Sequence, residues 1–130
     1  MNQYIEELKN DHKIIIEFFD NIDKSEKFDA QKELVRKLTD VLTIHLKKED
    51  EYLYPALAKS KNEEIARLGD IFSSAMKNIA KDYIVFVEQF LKNSEPSAEL
   101  ADAYKKMSKK VRNRVTIEEV VLYPAYEKSL

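Results

Sequence analysis

The chain has 130 residues, 44% of them hydrophobic, which suits a single domain over residues 1–130 built on one modest core. Its 22 Lys and Arg against 24 Asp and Glu leave a net charge of -2, with no basic footprint for nucleic acid or an anionic membrane. Cys is absent and Gly occurs once, which excludes disulfides, thiolate zinc sites, thiol nucleophiles and Gly-rich phosphate loops.

The N-terminal stretch MNQYIEELKNDHK is acidic and polar, unlike a signal peptide, and no apolar run approaches a membrane span. A soluble cytoplasmic protein is the expectation. Breaks are few: the polar stretch Asp20 to Lys27, Pro55 to Asn62, and Asn93 to Ser97 around Pro96. An all-β chain would need many more turns, so four helical segments are predicted between the breaks.

The first segment places Ile5, Leu8, His12, Ile15, Phe19 and Ile22 on one seam, with steps alternating three and four. The second gives Leu38, Leu42, His45, Glu49 and Tyr52, preceded by Asp29 as a cap. Ser60 and Glu63 read as a capping box for the third, whose seam is Phe72, Met76, Ile79, Tyr83, Phe86 and Phe90. Ser94 and Pro96 suit the start of the fourth, with Leu100, Tyr104, Met107, Val111, Arg114, Glu118 and Val121 inward. Short links between long helices predict an all-α, up-down-up-down antiparallel four-helix bundle.

His12, His45, Glu49, Arg114 and Glu118 stand on these seams where Leu or Val would be expected. Burying an unpaired charge costs several kcal/mol, so this group must neutralise itself or hold an ion. Asp50 and Glu119 are the neighbouring acids that could substitute for the seam carboxylates. On the fourth helix Lys105, Lys106, Lys109, Lys110 and Arg112 make a basic strip, which reads as a solvated face.

The chain also repeats itself. HLKKEDEYLYPALAKS, from His45 to Ser60, parallels RVTIEEVVLYPAYEKS, from Arg114 to Ser129. Glu49 matches Glu118 and Leu53-Tyr54-Pro55-Ala56 matches Leu122-Tyr123-Pro124-Ala125, whereas His45 faces Arg114. Two related helical hairpins are predicted. Tyr54 and Tyr123 read as packing residues at the end of the bundle.

Asp11-His12, then His45-x-x-x-Glu49 with Leu-Tyr-Pro and an internal copy, resembles the hemerythrin and HHE cation-binding domains over essentially the whole chain. The resemblance implies a hemerythrin-like bundle and a metal site of His12, His45, Glu49 and Glu118. It implies iron, about one ion per chain, while the same donor types suit Mn(II) or Zn(II). The family's second iron takes three further histidines, yet this chain has two His in all and puts Arg114 at the fourth-helix ligand position. Arg114 is therefore expected as a cation in place of the second metal. The expected function is a degenerate metal-binding domain in sensing, iron handling or redox response, with a small ligand such as O2 or NO. No nucleophile or substrate pocket points to an enzyme. The alternatives are a metal-free bundle serving as a protein-interaction or regulatory module, and a mononuclear iron enzyme.

Overall fold

The computed structural model describes residues 2–130, and every regular element among them is helical. The elements are α1 (Gln3–Lys24), α2 (Phe28–Lys48), a π turn π1 (Glu49–Leu53), α3 (Tyr54–Ala58), α4 (Glu63–Lys92), α5 (Ala98–Ile117), a second π turn π2 (Glu118–Leu122) and α6 (Tyr123–Lys128). Because each π turn joins its flanking helices without a break, these make four long rods. Contacts between opposite ends fix their directions. The Tyr4 hydroxyl near the start of α1 donates to the Lys48 carbonyl at the end of α2, and Tyr104 early in α5 donates to the Phe19 carbonyl late in α1. Lys32 early in α2 donates to the Asn93 carbonyl after α4. The result is the antiparallel four-helix bundle.

The predicted seams are the buried stripes along α1 and along most of α2 and α5. They miss at Tyr52 and Val121, which are exposed, while Leu53 and Leu122 are fully buried. The reason is the same in both repeats. A π turn holds one more residue than an α turn, so the inward face slips by one position after Glu49 and after Glu118. Each π turn lies just before a Tyr-Pro pair. Proline has no N–H and its ring crowds the carbonyl four residues back, and a widened turn accommodates both.

Caps also differ from the sequence reading. Asn62, not Ser60, caps α4 through its side chain, and Ser97 caps α5. Lys27 precedes α2 without a side-chain cap, and Asp29 lies in the first turn, where its charge suits the helix dipole.

Two apolar clusters hold the rods together. One is centred on Ile15, Phe19, Leu38, Phe86 and Tyr104, the other on Ile5, Leu8, Leu53, Leu57 and Leu122. Gly69 lets the rods close around the second cluster: a Cβ there would lie 2.7 Å from the Leu57 Cβ. A buried polar layer of His12, His45, Glu49, Arg114 and Glu118 lies between the two clusters.

Candidate metal centre

Heptad-like spacing along the first, second and fourth rods carries the five polar seam residues, with Glu49 and Glu118 opening π1 and π2, to one level of the bundle, and none is more than 7% exposed. One donor atom from each of His12, His45, Glu49 and Glu118 falls within 4.8 Å of the others. The rings of the two histidines meet at their Nε2 atoms, 3.2 Å apart. Glu118 Oε1 lies 2.9 Å from His12 Nε2 and 3.6 Å from His45 Nε2, and Glu49 Oε2 lies 3.5 Å from His45 Nε2.

The far side of each ring decides what the near side can do. His12 Nδ1 is 2.7 Å from Glu119 Oε2, and His45 Nδ1 is 3.0 Å from Asp11 Oδ2. An ionised carboxylate only accepts, so each Nδ1 carries the hydrogen it donates. Once deprotonated at Nε2, rings held this way would aim both Nε2 lone pairs at the centre, which is the outer support that orients metal-bound histidines. Lys48 donates to Asp11 at 3.0 Å and holds it in turn.

The charges are set by burial and by these contacts. Burial opposes the cationic form of His45, but bonds to Asp11, Glu118 and Glu49 outweigh it and push the imidazole up to about 11. Burial alone would raise Glu118, yet both histidines hold it below the usual carboxylate range. Glu49 moves the other way, raised by burial and by the charge of Glu118. Its Oε1 is the one fully buried side-chain oxygen or nitrogen among the described residues with no hydrogen-bond partner. Two converging imidazole nitrogens, two carboxylates and an orphaned carboxylate oxygen fit a divalent or trivalent cation.

Arg114 closes the other side. Its Nε donates to Glu118 Oε2 at 3.1 Å, while Nη2 donates to the Tyr54 hydroxyl at 2.9 Å and to the Phe72 carbonyl at 3.0 Å. The guanidinium carbon lies 4.8 Å from the centre of the Phe72 ring. Glu118 thus spans the histidine pair with one oxygen and the guanidinium with the other. The third rod contributes no metal donor here. Met76, Ile79 and Tyr83 instead line an apolar cavity of about 510 Å³ that reaches Arg114.

Sequence spacing brought the four candidate donors and Arg114 together, but the roles of three further residues, Asp11 of the Asp-His motif among them, differ from or go beyond that reading. Glu119 stands behind His12 and not in place of Glu118, and Asp11 stands behind His45. Tyr123 is fully buried beside the donors, away from the bundle end where it was expected. Asp50 is exposed at the cavity rim. The basic strip is partly paired, Lys106 with Asp102, Lys110 with Asp82 and Arg112 with Asp20 and Asp23.

The family model for the hemerythrin HHE cation-binding domain matches residues 3–126. The chain belongs to that family. No curated protein and no solved structure matches it. Among the described residues no helix of this hemerythrin-family domain is long and apolar enough to cross a membrane.

Proposed function

We propose that this domain binds a single metal ion, iron by preference, through His12, His45, Glu49 and Glu118, with Arg114 as the cation in the second position. The observation that carries the reading is the pair of histidines whose Nδ1 atoms are bonded to Glu119 and Asp11 and whose Nε2 atoms converge. That arrangement supports a ligand role, because metal-bound histidines carry such a carboxylate behind the ring that orients it.

The family's second site needs histidines that this chain does not have. Where that cation would stand, Glu118 receives the guanidinium of Arg114. Iron bound by these donors would supply a redox-active Lewis acid able to take water, O2 or NO. The chain's own contribution is to orient two imidazoles, keep two carboxylates apart from bulk water and balance their charge. Sensing, iron handling or a redox response, with the cytoplasm as the expected compartment, is the role we infer for such a site.

Metal analysis tests the proposal. Protein prepared without a histidine tag and loaded with Fe(II) under argon should retain about one iron per chain after desalting, as a single site would. His12→Ala and His45→Ala should each abolish retention. Wild-type protein that retains no metal would favour the competing reading, a metal-free bundle kept for protein contacts.

A further inference from the structure

The hydroxyl of Tyr123 lies among the four donors and not behind them. It is 2.8 Å from Glu49 Oε2, 3.1 Å from Glu118 Oε1 and 3.1 Å from His12 Nε2. A phenol has one hydrogen to donate, so it can satisfy only one of the two carboxylate oxygens. Hydrogen bonding therefore accounts for part of this crowding and leaves the rest.

The spacing of donors around a bound ion matches most of these contacts. Around a six-coordinate ion with bonds of about 2.1 Å, adjacent donors are about 3 Å apart and opposite donors about 4.2 Å. The contacts of Tyr123 have the adjacent spacing, as do His12 with His45 at 3.2 Å and His12 with Glu118 at 2.9 Å. His45 with Glu49 and with Glu118 are somewhat wider, at 3.5 and 3.6 Å. His12, His45, Glu49, Glu118 and Tyr123 would then hold an ion with five protein donors.

We propose that Tyr123 is a fifth protein donor, binding iron(III) through its phenolate oxygen. The inference rests on the metal-binding reading above and adds a residue to it. An iron–oxygen bond forms as the phenol releases its proton to solvent, and no electron is transferred when the metal is supplied as Fe(III). Tyr54, the counterpart of Tyr123 in the internal repeat, is not expected to do this, because its hydroxyl faces the guanidinium of Arg114 at 2.9 Å.

The test is optical. Tag-free protein is loaded with Fe(III) as its citrate chelate, desalted, and examined by visible absorption and resonance Raman spectroscopy. Wild-type protein should show a phenolate-to-iron charge-transfer band whose excitation enhances tyrosine ring modes, and these modes should shift in protein grown on ring-deuterated tyrosine. Tyr123→Phe should lose the band and bind iron about tenfold or more weakly, while Tyr54→Phe keeps the band. Iron bound by the wild type without the band, or a band surviving in Tyr123→Phe, would overturn the proposal. Wild-type protein that binds neither Fe(II) nor Fe(III) would overturn the metal-binding reading and this proposal together. The wild-type spectra decide the matter even if the phenylalanine variant does not fold.

Discussion

Arg114 and Glu118 form a buried ion pair one helical turn apart, 3.1 Å between Nε and Oε2, and the second oxygen of that carboxylate faces the histidines. Each member is less than a tenth exposed. Removing one partner of such a pair leaves an uncompensated buried charge, which costs roughly 3–5 kcal/mol, against about 0–1 kcal/mol for an exposed pair. Arg114→Met keeps much of the volume and removes the charge. Its unfolding free energy, measured with metal content held constant, should fall within the larger range. A change within the smaller one would leave the second position without a stand-in cation.

The carboxylates behind the histidines give a separate prediction. Asp11→Asn and Glu119→Gln preserve size and leave Nε2 in place, but weaken the acceptor that fixes each ring. Metal affinity should fall roughly 10–100-fold in each variant without loss of the fold. Competition against a metal indicator measures this, and unchanged affinities would show that the rings need no such support.

The metal-free protein should lose stability as pH rises. His45 is pushed up from an ordinary 6.5 to about 11 in the fold, so the protonated ring binds its partners more strongly in the native state. That contribution is complete below about pH 6.5 and disappears as pH climbs toward about 11. Metal binding has the opposite dependence, because the metal must displace a proton from the ring. Chemical denaturation in a chelator at pH 6 and pH 9 should therefore show the lower pH to be the more stable, and His45→Gln should remove the difference. A metal-free protein equally stable at both would contradict the assignment.

Gly69 is a packing residue. A methyl group there would be 2.7 Å from the Leu57 Cβ, which is close to the backbone and has little freedom to move. The overpacking in Gly69→Ala should cost about 1–3 kcal/mol, outweighing the gain in helix propensity of about 1 kcal/mol. Thermal unfolding checks the sign, and a stabilised variant would show that the two helices can move apart freely.

Four-helix architecture was legible because the period of the seams is a property of local sequence, and the polar interruptions at His12, His45, Glu49, Arg114 and Glu118 stood out against it. The π turns were not, although the repeated Leu-Tyr-Pro marked their places. One extra residue in a turn changes nothing in composition, yet it turns Tyr52 and Val121 outward and Leu53 and Leu122 inward. Glu119 could not be assigned to His12 from spacing, since 107 residues separate them and only the packing of α1 against the fourth rod joins them. Tyr123 escaped for both reasons at once: it follows a π turn, and its partners come from three different rods.

Iron stoichiometry combined with electron paramagnetic resonance tests the single-ion account most directly. The proposed site, with two histidines, two seam carboxylates and Arg114 standing in for a second metal, predicts about one iron per chain, with the spectrum of an isolated high-spin ferric ion after oxidation. Two irons per chain, silent at low temperature through antiferromagnetic coupling across an oxo bridge, would contradict it.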